Sequence, residues 1–367
     1  MAPLRIALVG PLPPPSGGMA NQTHQLAELL RSEGLQVEVV QVNPPYRPAW
    51  VGAIWGVRAF CRLVPYVIAL WRTLGRVQLA HVMANSGWAW HLFAAPAIWI
   101  AHLRRVPVVV NYRGGDAERF FAKSFSWVKP VLARAAAVVV PSSFLASVFA
   151  RYGVAVRIVP NIIDLARFSR RSSVPAVPHL IVTRNLEPIY DVETAIRAFS
   201  IVLGRHPDAR LTVAGTGPAE ATLRALAVDL GVTDAIAFSG RIENRDMPAL
   251  YHSASVMLNP STVDNMPISI LEAWASGVPV VSTNAGGVPS LVDDGRNALL
   301  VEPRRPDAMA EAALRVLGSN ALASSLAEAG RAAAEQFAWP RVREAWLEIY
   351  AALAAKPLHP RPATASD

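Results

Sequence analysis

The stretch VMLNPSTVDNMPISILEAWASGVPVVSTNAGGVP, from Val256 to Pro289, leaves little choice of architecture. Val256 to Asn259 is an apolar run of the length of a buried strand, and Pro260 to Met266 is a polar loop. Pro267 to Ser276 carries helical spacing, with a proline suited to a first turn whose N–H groups lack partners anyway, and Gly277 ends it. Val278 to Ser282 is again apolar and β-branched. Two buried strands joined by a helix form a β-α-β unit of a parallel sheet, whose ligands gather at the carboxyl ends of the strands.

Two carboxylates stand at that end. Asp264 lies in the loop and Glu272 in the second helical turn, and helical side chains tilt toward the N-terminus, so both can face one crevice. The helix mouth offers N–H groups and partial positive charge to a phosphate, while a carboxylate on the same helix suits hydroxyls of a ribose or sugar. For an isolated pair the ordinary reading is a turn aspartate and a helix-surface glutamate.

The surrounding chain repeats the pattern. Strands at Leu180–Thr183, Leu211–Ala214 and Ile236–Ser239 alternate with helices at Val192–Leu203, Ala219–Leu230 and Met247–His252, which implies a second parallel sheet. Its loops carry Arg184, then Gly215-Thr216-Gly217-Pro218, then Gly240-Arg241. The first half opens with strand Leu4–Val9, a proline-rich loop ending in Gly17-Gly18, a helix from about Asn21 to Ser32, and strand Val37–Val42. Strand Val106–Tyr112 delivers Arg113-Gly114-Gly115-Asp116 at its carboxyl end, where site residues of such folds gather. Gly17 and Gly18, like Gly215 and Gly217, could serve as turns and nothing more. Polar, proline-bearing residues Ser169–Pro178 read as a linker between two domains, and 367 residues suit two domains better than one.

These segments resemble the retaining glycosyltransferases of family four, proteins of the two-domain GT-B fold. An acid, seven residues, a glutamate, and then an alanine and a Gly-x-Pro-Val-Val strand form the donor signature, matched by Asp264, Glu272 and GVPVV; LTVAGTGP, FSGRIENRDMPALY and NAGGVPSLVDDGRNALLVEP extend the match over Leu180 to Pro303. IVPNIID at Ile158–Asp164 matches the link to the hinge. The resemblance implies two Rossmann-like domains facing a cleft: residues 1–170 on the acceptor side, 178–338 on the nucleotide-sugar side, and 339–355 as a helix crossing back, with 356–367 as a disordered tail. It implies that Glu272 holds the ribose, that Asp264 with the Asn265 and Met266 backbone faces the transferred sugar and its phosphates, and that Arg184 grips the diphosphate. Gly17 and Gly18, Gly215, Gly217 and Arg241 join the donor-binding set, and Arg113 takes a place where many relatives show histidine. An arginine there cannot act as a base, but it can hold a phosphate. The lysine usual after Arg184 is replaced by Ile189-Tyr190-Asp191. A sugar nucleotide as donor, no metal and no other cofactor, retention of configuration, and a lipid-linked or polysaccharide acceptor follow from the same resemblance. An epimerase of similar shape and a non-catalytic nucleotide- or membrane-binding protein are the alternatives.

The formal charge of +8 asks for an acidic partner, and no zinc spacing, aromatic RNA-binding signature or helix-turn-helix supports nucleic acid. Residues 50–76 suggest an anionic membrane surface instead. On a wheel of ~100° per residue, Arg58, Arg62, Arg72 and Arg76 fall within roughly 80° of one another, opposite Phe60, Leu63, Val67, Leu70, Trp71 and Leu74. The plainer reading is a surface helix packed on its apolar side, or one broken by Pro65. Neither this segment nor tryptophan-rich Gly87–Ala101 reaches the about 18 apolar residues of a spanning helix. One cysteine, Cys61, and an apolar start too short for a secretion signal point to the cytoplasm, peripheral on the inner membrane face.

Overall fold

The structure, a computed structural model, describes residues 3–14, 17–46, 50 and 57–355, the side chains of 57–60 excepted. The expected disordered tail, 356–367, lies outside the described residues, as do residues 51–56 of the expected membrane segment. The chain divides into two compact units: one takes in the residues up to 141, 145–159 and the chain from Arg343, the other 142–144 and 160–342.

The first unit runs β1 (Arg5–Gly10), α1 (Gly18–Ser32), β2 (Gln36–Gln41), α2 (Val57–Leu74), β3 (Leu79–Ala84), α3 (Ala95–Leu103), β4 (Val108–Tyr112), α4 (Ala117–Leu132), β5 (Ala137–Val140), α5 (Ser143–Arg151) and β6 (Arg157–Ile158). Its parallel sheet has the order β2-β1-β3-β4-β5-β6. Strands β3 and β4 are buried along their whole length, as strands covered on both faces by helices must be.

The second unit runs β7 (His179–Val182), α6 (Val192–Arg205), β8 (Arg210–Ala214), α7 (Glu220–Asp229), β9 (Ile236–Gly240), α8 (Met247–His252), β10 (Val256–Asn259), α9 (Ile268–Ala275), β11 (Val280–Thr283), α10 (Val288–Leu291), β12 (Leu299–Val301), α11 (Pro306–Leu317) and α12 (Asn320–Ala334). The parallel order β12-β11-β10-β7-β8-β9 makes the β7/β10 boundary the point where the winding reverses. Side chains alternate across it: Leu180, Val182, Val256 and Leu258 enter one core with Phe199 and Met309, while Ile181 and Met257 enter another with Ile270 and Trp274. The last helix, α13 (Trp339–Ala354), carries Trp346 and Tyr350 against His81 of β3.

Four expectations shift. Pro267 is extended (ψ 117°) and caps α9 instead of opening its first turn, and β11 begins after Pro279, which has no N–H to give the ladder. Pro65 does not break α2. The carbonyl it leaves unmatched is that of Cys61, four residues earlier on a stretch where both residues are exposed to water. The expected apolar side of α2 does not pack as one face either: Leu70 and Leu74 are buried with Tyr66, whereas Val67 and Trp71 are exposed beside Val64 and Ile68. Of the arginines opposite, Arg58 lies outside the described side chains, Arg62 stacks on Tyr46, and Arg72 and Arg76 are exposed. Among the described residues no helix is long and apolar enough to cross a membrane.

Candidate active site

The winding reversal of the second sheet brings together two residues 80 positions apart. Arg184 follows β7 and Asp264 follows β10, and the guanidinium donates Nη2–H to Asp264 Oδ2. The other arm of Arg184 reaches Ser269 Oγ at 3.4 Å, at the mouth of α9, and its planar face lies 4.2 Å from the centre of the Tyr190 ring. Burial pushes the Asp264 carboxyl up from its ordinary range, opposed by Arg184 and by the Asn265 N–H that donates to Oδ1 at 2.9 Å. The aspartate is thereby held in one rotamer by a charge on one oxygen and a backbone donor on the other.

One helical turn deeper, Glu272 Oε2 accepts the Tyr251 hydroxyl at 2.9 Å. Tyr251 is fully buried and stands 2.9 Å from Thr183 Oγ1; since its single proton goes to the carboxylate, the threonine donates to it. Glu272 keeps an accessible edge, yet loss of water around it pushes its carboxyl up to about 7 against the stabilising pull of Tyr251, Arg167 and Arg184. A carboxylate so placed has a free accepting edge and a poorly solvated charge, which suits the hydroxyls of a bound ribose.

Backbone packing fixes this edge. A Cβ on Gly287 would lie 1.9 Å from the Asn265 carbonyl oxygen and one on Gly286 2.2 Å from that of Asp264, so the glycine turn after β11 interlocks with the Asp264 loop. Gly287 also donates its N–H to Asp264 O at 2.7 Å. The loop after β8 interlocks in the same way with the Arg184 loop: Gly215 lies against Arg184 O and Gly217 against Leu186 O. Arg241 is exposed and reaches Thr216 Oγ1 at 3.4 Å. Met266 is buried, and its carbonyl accepts from Asn161 Nδ2 at 2.8 Å, which braces the loop. Arg184, Gly215, Gly217, Arg241, Asp264, Asn265 and Glu272 therefore all belong to loops or helix turns on the carboxyl edge of one sheet. Among the described residues no group of three His, Cys, Asp or Glu is placed to hold a metal ion.

Arg113, Gly17 and Gly18 belong to the first unit. Gly17 is extended and caps α1, with open space where a Cβ would stand. Arg113 ends a buried chain of side chains: its Nε–H donates to Asn111 Oδ1 (3.2 Å), Asn111 Nδ2–H donates to His81 Nε2 (3.0 Å), and His81 Nδ1 meets Tyr350 Oη (2.7 Å). Because Nε2 accepts, the imidazole proton sits on Nδ1 and is given to the tyrosine. Burial, then Arg113, push the His81 pKa down to about 3 and keep the ring neutral. Burial pulls Arg113 down to about 10, so it stays a cation at neutral pH.

The fold is shared with solved glycosyltransferase structures. Sucrose-phosphate synthase from Thermosynechococcus elongatus superposes with a TM-score of 0.79 at 20% identity, covering 96% of this chain and 99% of that one. Anabaena HepE, solved in complex with UDP, superposes with 0.74 at 18% identity over 95% and 100%. Residues 16–167 match the family described as Glycosyltransferase Family 4, and residues 171–333 match Glycosyl transferases group 1. The chain carries a region of each of these two glycosyltransferase families on a GT-B fold. Among curated relatives, the GDP-mannose-dependent alpha-(1-6)-phosphatidylinositol monomannoside mannosyltransferase of Mycobacterium tuberculosis is 31% identical over 182 residues, 48% of this chain and 47% of the relative. The chain spans less than half the length of the first curated relatives it matches, from 21% to 47%.

Sequence reasoning on this chain missed Thr183 and Tyr251. Tyr251 carries no local signal, since it is one aromatic at helical spacing in α8. Tyr190 was visible only as the replacement of a lysine, and the structure gives the replacement a place, as the aromatic floor under Arg184.

Proposed function

We propose that this GT-B glycosyltransferase moves a sugar from a nucleotide-diphosphate donor to a lipid-linked or polysaccharide acceptor with retention of anomeric configuration. The observation that carries the reading is the gathering of Arg184, Asp264 and Ser269 at the winding reversal, with Glu272 one turn further on the same helix. Glu272 accepts from ribose hydroxyls and Tyr251 orients it. Arg184 and the N-terminal turn of α9 meet the diphosphate as charge builds on it, an electrostatic role worth most in a site shielded from water. Asp264 orients Arg184 and faces the sugar, and Asn265 fixes the loop. Arg113, held by Asn111, offers a cation on the first unit to an anionic group of the substrate. The M. tuberculosis relative, whose name pairs a sugar nucleotide with a phosphatidylinositol acceptor, supports the donor and acceptor classes. A single cysteine and a membrane-borne acceptor fit a cytoplasmic enzyme at the inner face of the plasma membrane.

The pairing of Arg184 with Asp264, and an aromatic where relatives carry a second cation, favour one other reading: a nucleotide-binding protein without turnover. Incubating the full chain with labelled UDP- and GDP-sugars and membrane lipid extract separates the cases. Label entering the organic phase with the donor's anomeric configuration, read by NMR, supports transfer. Binding without product supports the second reading, and an altered free sugar nucleotide would show an epimerase.

A further inference from the structure

The first sheet turns one way and then the other. From β1 the chain moves outward to β2, and from β2 it returns past β1 to β3, β4 and β5. Right-handed crossovers then place α1 on one face and α2, α3 and α4 together on the opposite one. Contacts bear this out: Tyr66 of α2 donates to Phe93 O just before α3 at 2.8 Å, Arg104 at the end of α3 stacks on Trp71 of α2 at 4.7 Å, and Arg134 after α4 stacks on Trp99 of α3 at 3.5 Å.

The outside of this layer is not what water selects. On α2, Val64, Val67, Ile68 and Trp71 are exposed, Trp71 by 48%; α3 adds Trp99 and Leu103, the latter 65% exposed, and α4 adds Trp127 at 76%. Apolar groups so close together are rare on a soluble surface without a partner. Charge is lopsided along the same stretch of chain. Between Glu38 and Asp164 the chain holds 14 Arg and Lys but two acids, Asp116 and Glu118, so these 125 residues carry more than the whole net charge and the remainder is net acidic. One of the two acids is already paired, Glu118 with Arg151.

We propose that the α2–α3–α4 face docks on an anionic lipid bilayer, with Ile68, Trp71, Trp99 and Leu103 entering the interface and Arg72, Arg76 and Arg105 on the headgroups. Indoles seat at the headgroup level, and the Arg104 and Arg134 guanidiniums stacked on them stay at that depth to meet phosphate. A nucleic acid would use the arginines but gain nothing from exposed valine, isoleucine and leucine. This inference stands apart from the transfer reading, because it uses none of the residues assigned to the donor.

The test is co-sedimentation of the full chain with phosphatidylglycerol-containing vesicles and with pure phosphatidylcholine vesicles at about 0.1 M salt. Sedimentation with the anionic vesicles is expected, together with tryptophan quenching by lipids brominated along the acyl chain. Ile68→Ser combined with Leu103→Ser should lower partitioning about tenfold, and Arg72→Gln with Arg76→Gln by a similar factor. All four side chains are exposed, so thermal unfolding should not change. No binding to anionic vesicles, or no quenching of wild-type tryptophan, overturns the proposal. Binding that the serine pair leaves intact and RNA competes away marks a polyanion surface, and sedimentation without vesicles marks self-association; either result overturns it as well.

Discussion

Tyr251, fully buried, donates its hydroxyl proton to Glu272 Oε2 across 2.9 Å, and this bond opposes the burial that governs how Glu272 responds to pH. The Glu272 carboxyl is raised to about 7, mainly by burial, whereas in the unfolded chain it titrates in the ordinary carboxylate range. Between those values the folded state binds more protons than the unfolded one, so this group's contribution to stability is complete below the unfolded pKa and is lost as pH rises through about 7. The loss is at most about 3 kcal/mol. Urea unfolding from pH 4.5 to pH 8 should show wild type losing stability relative to Glu272→Gln, whose amide mimics the neutral acid and cannot ionise; a pH-independent difference would contradict the assigned environment.

Donor binding should run the other way. Ribose hydroxyls donate, so they select the ionised carboxylate, and affinity for UDP or GDP should rise as pH passes about 7, with proton release on binding at pH 6.5. Calorimetry in two buffers of different ionisation heat reads the proton count directly. Glu272→Ala should abolish nucleotide binding and Tyr251→Phe should weaken it several-fold; normal affinity in Glu272→Ala would remove Glu272 from the ribose site.

For Arg184, turnover and folding can be separated. Arg184→Ala should lower turnover more than affinity, because its cation is assigned to charge that develops on the leaving diphosphate. It also strands Asp264, whose side chain is 11% exposed, at a cost of about 3 kcal/mol. Adding Asp264→Asn removes the stranded charge. The double variant should regain most of the lost stability in thermal unfolding while staying inactive, an outcome that loss of folding alone could not give.

What could be read ahead of the structure follows from distance along the chain. Strand-helix alternation and the Asp264–Glu272 spacing are local patterns, each set within a few helical turns, and the second sheet repeats the alternation enough times to declare itself; the linker read at Ser169–Pro178 falls inside the second unit, which begins its continuous run at Pro160. The partners of those acids are not local: Arg184 is 80 positions from Asp264, and Tyr251 is 21 from Glu272 across a strand and a loop. The reversal of strand order at β7 and β10 joins the first pair and the packing of α8 on α9 the second, and no periodicity encodes either. On α2 the wheel placed the arginines on one side and the apolar residues opposite, without separating those the unit covers from those left for a membrane surface. The rest of the unit buries Tyr66, Leu70 and Leu74 and leaves Ile68 and Trp71 exposed, with Arg104 stacked on the indole.

Side-chain order in the first unit makes the last prediction. His81 sits between Asn111 and Tyr350, residues 30 and 269 positions away, and the direction of those bonds fixes its proton on Nδ1. Its pKa of about 3 lies below the unfolded value, so the unfolded chain binds the extra proton and this group's share of stability, present above about 6.5, is lost as pH falls toward 3. In a spectrum of 15N-histidine-labelled protein one ring should therefore remain a neutral Nδ1–H tautomer from pH 8 to pH 5. Tyr350→Phe removes one acceptor and should cost about 1 kcal/mol. His81→Leu leaves both the Asn111 amide and the tyrosine hydroxyl without their partner in a dry site, and should cost more than twice as much. If His81 titrated near 6.5 instead, Asn111 would no longer be held toward Arg113, and the orientation assigned to that arginine would fall with it.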